Sequence, residues 1–315
     1  MFSLTNLTKS NDEKHVLNSA DLDVYQGQVW GDKMNDEVIK TIVDCMASNE
    51  DAKDIQRIQT AHRLKLIQFW GIKEGSRVLE IGCGQGDTTA ALAYVVGEKG
   101  FIHGVDIASS DYGGPITLGE SARYLRNSKL GQQLEIEFDV DVLSTDVDYP
   151  ADSFDYLVFS HCSWYLKSFE ELEAILTKIR PWGKALCFAE WDPQIKTIEQ
   201  YPHFLAVHIQ SQYEIFKESS LSNVRTLFTP MDLRRIAESA GWTITNEHSI
   251  DSPELQDGEW EIDITLNEYK EEIKTLTHLP KKLVSLIQSE FSLLEEAREK
   301  HGVKPLSTYM FSANR

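Results

Sequence analysis

A chain of 315 residues with a formal net charge of −19 is long enough to bury a sizeable core, as one domain with additions or as two small ones. A field of that sign repels phosphate backbones, and the dense basic pairs are only Arg234-Arg235 and Lys281-Lys282, so composition argues against a nucleic-acid partner. No apolar run reaches membrane-spanning length. The four cysteines (Cys45, Cys83, Cys162 and Cys187) lack C-x-x-C spacing, which argues against a disulfide frame or a zinc site.

Residues 1–23 are polar and carry no period, so they read as a loose or docking arm without a signal peptide. Cytoplasmic residence is expected. The segment Tyr25-Gln26-Gly27-Gln28-Val29-Trp30 sets two aromatics around a glycine. Tyr25 and Trp30 either plug a hydrophobic gap or form a lid over cofactor and substrate. Val38, Ile39, Ile42, Val43 and Met46 have helical spacing, as do Ile55, Ile58, Ala61, Leu64 and Ile67 in the run to Trp70. The second of these helices is expected to pack against the sheet edge.

The run Arg77 to Ile81 is of buried-strand type. It breaks into Gly82, Gly84 and Gly86 and continues into an alanine-rich helix, Thr88 to Val96. Strand, glycine turn and helix open a nucleotide-binding βαβ unit, because glycine lets the backbone approach a ligand and the free N–H groups of a helix start hold its polar parts. The spacing is G-x-G-x-G, with Asp87 where a dinucleotide fingerprint requires its third glycine, and no P-loop pattern occurs.

Glu80-Ile81-Gly82-Cys83-Gly84-Gln85-Gly86 resembles motif I of class I S-adenosylmethionine-dependent methyltransferases. The resemblance implies a doubly wound, mostly parallel seven-stranded α/β sheet with helices on both faces. It covers roughly residues 75–250 and the final strand. It also implies that Glu80, Gly82, Gly84, Gly86 and Ser160 lie at the cofactor.

Phe101 to Ile107 reads as the second strand, with Asp106 near its end. A carboxylate there can accept two hydrogen bonds from a ribose diol; a helix cap or surface acid is the bland alternative. The third strand, Leu134 to Phe138, is followed by Asp139-Val140-Asp141-Val142. By the resemblance, an acid here binds the adenine amine and the next backbone unit contacts the ring. Asp141 with Val142 fits the family spacing, and Asp139 is the rival.

The fourth strand, Ser153 to Ser160, runs into His161-Cys162-Ser163-Trp164-Tyr165 at a carboxyl-end rim, where open α/β sheets bind ligands. His161 is the general-base candidate, since a neutral imidazole accepts a proton near pH 7; capping the next helix is the alternative role. Trp164 and Tyr165 either pack or wall the site beside a sulfonium cation. Lys184 to Ala189 is the fifth strand, and Glu190 after it is a second base, a holder for a substrate amine, or a salt-bridged acid. The family's amino-DNA methylase motif is absent after the fourth strand, which also argues against a nucleobase substrate.

Phe204, Leu205, His208, Ile209, Gln212 and Phe216 fall at helical spacing in an insertion, and Arg225 is placed to hold a substrate carboxylate. His203 and His208 lack H-E-x-x-H spacing, so no metal site is expected. Thr229-Pro230 starts a helix that stops at Gly241, Trp242 to Ile250 is the sixth strand, and Glu259 to Leu266 alternates like an exposed strand or an extended link. Pro280 opens a long helix, and Leu306 to Phe311 is the last strand, antiparallel inside the sheet by family analogy.

The expected organisation is an N-terminal arm and helices over residues 1–70, covering the active site. A methyltransferase domain follows over residues 71–315, with helical insertions at about 194–228 and 267–302. The expected reaction is methyl transfer from S-adenosylmethionine to an O or N nucleophile of a small organic molecule. The alternatives are a non-methylating enzyme of the same fold and a non-catalytic binding module. Neither nucleic acid nor membrane is an expected partner, and both a monomer and a homodimer fit the sequence.

Overall fold

The computed structural model describes residues 36–47, 52–217, 220, 222–276 and 278–315. Seven strands form one sheet: β1 (Arg77–Ile81), β2 (Phe101–Val105), β3 (Leu134–Glu137), β4 (Phe154–Ser160), β5 (Gly183–Asp192), β6 (Thr243–Ile250) and β7 (Ser307–Asn314). Their order is β3-β2-β1-β4-β5-β7-β6. All pairings are parallel except those of β7, which runs antiparallel between β5 and β6. The order reverses between β1 and β4, so the carboxyl ends of these two strands flank a crevice.

The central strands β1, β4, β5 and β7 carry apolar residues on both faces because both faces are covered. One face carries Leu79, Leu157, Leu186 and Phe311, packed with α5 (Phe169–Ile179) and α7 (Pro230–Ser239). The other carries Val78, Val158, Cys187 and Met310. It packs with α1 (Asp36–Val43), α2 (Lys53–Trp70), α3 (Asp87–Val96) and α4 (Leu118–Arg126). Helix α2 therefore lies over central strands and not at the sheet edge, since Leu66 and Ile67 share a cluster with residues of β1, β4, β5 and β7. Helix α7 begins with a capping box between Thr229 and Asp232 and carries Pro at its first position, as its sequence dictates.

A third apolar cluster joins α6 (Tyr201–Glu214), α8 (Asp257–Ile264) and α9 (Lys281–His301). Here the sequence misleads. The alternation over Glu259 to Leu266 belongs to a helix, not a strand, and α8 continues through a π-helical turn at Thr265–Tyr269. The buried positions are Gly258, Ile262, Thr265, Tyr269 and Ile273, a helical stripe. Two of its members are not apolar, and Trp260 on the apparent strand face is exposed, so an apolar-only pattern reads the wrong period.

Phe159, Phe188 and Phe311 stack across β4, β5 and β7 with centroids 5.7 and 5.1 Å apart. Phe311→Ala should cost about 3–5 kcal/mol, read as a fall in urea midpoint; a loss under about 1 kcal/mol would contradict the packing described. Glu80 of β1 is buried and accepts a hydrogen bond from Thr89 Oγ1 of α3 at 2.6 Å. Burial pushes its carboxyl from 4.5 up to about 8, against the hydrogen bond from Thr89. Folded chains thus keep a proton that unfolded chains lose as pH passes 4.5. The stabilisation is complete below that pH and is lost progressively up to about 8. Urea midpoints of wild type and Glu80→Gln at pH 5 and pH 8 should therefore show a smaller fall in the variant. Equal falls would remove Glu80 from the account.

Candidate functional site

The chain leaves β1 into a turn where Gly82, Gly84 and Gly86 have φ of 74°, 52° and 88°, a region open to glycine and strained for other residues. A Cβ on Gly82 would also stand 2.7 Å from the Cβ of Cys162. The amides of Gly82 and Cys83 donate to the Val105 carbonyl at 2.9 and 3.2 Å, which stitches the turn to the end of β2. Asp106 comes next. Its Oδ2 accepts from the Gly84 amide at 2.8 Å and its Oδ1 from the Ala108 amide at 2.9 Å. Each oxygen keeps a further acceptor position, and the neighbouring Ile107 side chain is 68% exposed.

The loop after β3 is tied to the same place. The Asp139 amide donates to the Ala108 carbonyl at 3.1 Å, and the Val140 amide to the Asp106 carbonyl at 2.9 Å. Asp141 and Asp139 are both exposed. Asp141 Oδ1 accepts from the Leu143 amide at 2.8 Å, and Val142 is buried.

At the end of β4, Ser160 Oγ is buried without a hydrogen-bond partner among the described residues. Leaving a hydroxyl so costs about 1–3 kcal/mol, which a polar ligand group at this rim would relieve. His161 follows with φ of 53°, an uncommon conformation for a residue with a side chain. Its amide donates to the Ala189 carbonyl at 2.9 Å, extending the β4–β5 ladder.

Glu190 lies inside β5 and is buried. Its Oε2 accepts from the Ser163 amide, the Ser163 hydroxyl and the Trp164 amide at 2.9, 2.7 and 3.3 Å. Its Oε1 accepts from the Trp191 amide at 2.9 Å. His161 Nδ1 stands 3.6 Å from Oε1, too far for a hydrogen bond and close enough for an ion pair once the ring is charged. Burial lowers the His161 pKa, against the pull of Glu190, so the ring is neutral at pH 7.

His62 of α2 also reaches this rim. Its Nε2 lies 3.1 Å from His161 Nε2 and its Nδ1 3.0 Å from Ser252 Oγ. Trp191 roofs the group, with its ring 4.7 Å from that of His161 and nearly parallel to that of His62 at 6.4 Å. Sequence pattern did not single out His62, Trp191, Ser252 or Ile107. A signal for His62 was present: Gln59, His62 and Leu66 share one stripe of α2, and all are buried.

The other predicted residues are more scattered. Trp164 is 3% exposed within the core, and Tyr165 is 40% exposed. The Arg225 amide donates to the Trp164 carbonyl at 2.8 Å and its Nε to the Ser222 carbonyl at 3.2 Å. Tyr25 and Trp30 fall outside the described residues. His203 is buried and its Nδ1 accepts from the Leu306 amide at 2.9 Å, while His208 stacks on Phe204. On the β2–β3 edge, His103, Glu135 and Glu137 bring ligand-type atoms within 4.8 Å of one another.

A family profile described as a methyltransferase domain matches residues 54–247. A demethylmenaquinone methyltransferase of Bacillus velezensis is 26% identical over 202 residues, which cover 59% of this chain and 79% of that protein. Against the demethylmenaquinone methyltransferase of Staphylococcus aureus, also 26% identical, the chain spans about half of the relative's length, 53%. Among solved structures, a cyclopropane-fatty-acyl-phospholipid synthase-like protein from Lactobacillus casei is 34% identical with a TM-score of 0.79, covering 89% of this chain and 100% of that one. Glycine turn, strand order and profile agree: the chain belongs to the class I S-adenosylmethionine-dependent methyltransferases, an enzyme family whose methyl donor is S-adenosylmethionine.

Proposed function

We propose that this enzyme methylates an oxygen or nitrogen nucleophile of a small organic molecule. The observation that carries this reading is the pairing of half-buried His161 with buried Glu190 at the rim beyond β4. A base is needed only where the nucleophile must lose a proton, and a neutral imidazole beside a carboxylate is suited to take one. S-adenosylmethionine supplies a methyl group already activated on a sulfonium, so the chain's own task is alignment, exclusion of water and proton removal.

The cofactor fits the residues present. Gly82, Gly84 and Gly86 leave backbone where side chains would intrude, with Glu80 behind them, and receive the methionine portion. Asp106, oriented by two amides with acceptor positions to spare, takes the ribose diol. Asp141 takes the adenine amine and the Val142 backbone the ring, while exposed Ile107 offers an apolar surface for a flat base to cover. Ser160 satisfies its orphaned hydroxyl on a polar group of the cofactor. Tyr165 and Arg225 face the substrate, Trp164 supports them from the core, and Tyr25 and Trp30 belong to the cover.

In this reading residues 71–315 carry the catalytic domain. Residues 1–70 and the helical segments at about 194–228 and 267–302 enclose it. The apolar cluster of α6, α8 and α9 supports such a cover.

Acceptor-dependent formation of S-adenosylhomocysteine tests the proposal. Because burial lowers the His161 pKa from 6.5, turnover should be level around pH 7 and fall only at more acid pH. His161→Gln should lose that acid limb and slow turnover by about 100-fold or more. A variant that turns over at the wild-type rate would refute the assigned base.

A further inference from the structure

His62 and His161 form an imidazole pair that links four parts of the fold. His62 comes from α2 and is 1% exposed. Its Nε2 lies 3.1 Å from His161 Nε2, and Thr308 Oγ1 of β7 is 3.4 Å from the same nitrogen. Ser252, beyond β6, meets His62 Nδ1 at 3.0 Å. A polar line thus runs Ser252, His62, His161, Glu190.

Glu190 fixes the direction of this line. Groups of Ser163, Trp164 and Trp191 all donate to it, so Oε1 presents a lone pair to His161 Nδ1. A lone pair on Nδ1 would face that oxygen at 3.6 Å and be repelled. The proton of neutral His161 therefore sits on Nδ1, and its Nε2 is an acceptor. His62 must then hold its proton on Nε2, pointed at His161, with Thr308 Oγ1 a second acceptor nearby. His62 Nδ1 is left to accept from the Ser252 hydroxyl.

Burial lowers the pKa of both rings, so both are neutral at pH 7. Arg63 and Lys65 on α2 oppose a charge on the pair, and Glu190 on β5 and Asp257 on α8 favour one.

We propose that His62 reinforces the tautomer that Glu190 sets on His161, its Nε2–H donating to His161 Nε2, and that it takes the nucleophile's proton on Nδ1 and relays it to that covered nitrogen. Its role as a relay rests on the reading of Glu190–His161 as the base; its role in reinforcing the tautomer does not. The relay balances. The nucleophile's O–H or N–H bond breaks and its electron pair stays on the nucleophile to form the bond to the methyl carbon. The proton goes to His62 Nδ1, displacing the Ser252 hydroxyl. The Nε2–H bond of His62 breaks as the Nε2–H bond of His161 forms. The imidazolium is left on His161, beside the Glu190 carboxylate at 3.6 Å.

Histidine-selective ¹⁵N labelling of the full chain and long-range ¹H–¹⁵N correlation at pH 7 read the tautomers directly. His161 should be protonated on Nδ1 and His62 on Nε2. In His62→Phe the His161 preference should weaken, and in His62→Gln, whose amide can still donate, it should be retained. Calorimetric binding of S-adenosylmethionine reports that each variant is folded. Wild-type His161 protonated on Nε2 would overturn the proposal without any variant.

For turnover, His62→Phe and His161→Gln should each lower kcat about 100-fold. The double variant should be no slower than the worse single one, because both act on one proton path. Multiplying losses would overturn the relay. Full turnover by His161→Gln with the expected wild-type tautomers would instead reject the base reading and leave His62 only as a support for the tautomer that Glu190 sets.

Discussion

A side chain at position 82 would bring its Cβ within 2.7 Å of Cys162 Cβ, and this close approach of two loops organises the carboxyl end of the sheet. Positions 82, 84 and 86 all lie at positive φ, so the turn can stay tight only with glycine. Its tightness lets the Val105 carbonyl receive two turn amides and Asp106 receive the Gly84 amide. The end of β2 and the loop after β3 are then fixed relative to β1 largely through backbone bonds. A change at Gly82 would be felt both at Asp106 and in the Cys162 loop that carries His161.

The second organising feature is electrostatic. Glu190, His161 and His62 are packed together under Trp191, away from the acidic exterior of the chain. Isolated, such groups would be costly to bury. Here most of their nitrogens and oxygens face a complementary atom contributed by α2, the loops after β4 and β6, β5 or β7, and His161 Nδ1 stands 3.6 Å from Glu190 Oε1 without a hydrogen bond among the described residues. The arrangement couples the placement of α2 to the chemistry of the rim. In the proposed reaction, positive charge moves from cofactor to acceptor or its proton, and the carboxylate–imidazole line is the group assigned to receive it.

The parts legible in the sequence are those set by local pattern. The glycine turn after β1, the acid at the end of β2, the capping box of α7 and the strand runs follow from short-range sterics and the burial of apolar runs. The antiparallel placement of β7 between β5 and β6 comes from family resemblance, not from any local signal. Helix α8 reads as a strand because its buried stripe includes Gly258 and Thr265, so the apolar residues alone show the wrong period. The His62–His161 contact joins residues separated by 99 positions. A single sequence does not encode such a pairing locally, although His62 lies in plain view on the buried stripe of α2. Between Asp139 and Asp141, spacing favours Asp141, and burial does not separate them, since both are exposed.

The glycine turn and Asp106 are the proposed seat of the cofactor. Calorimetric titration of the full chain with S-adenosylmethionine, with NAD as control, against Asp106→Ala tests this most directly. Loss of a charge-assisted acceptor should weaken binding by about 1.5–3 kcal/mol, roughly 10- to 150-fold in Kd, with no binding of NAD to either form. A folded wild type that does not bind S-adenosylmethionine, or a variant that binds it equally well, would contradict the account.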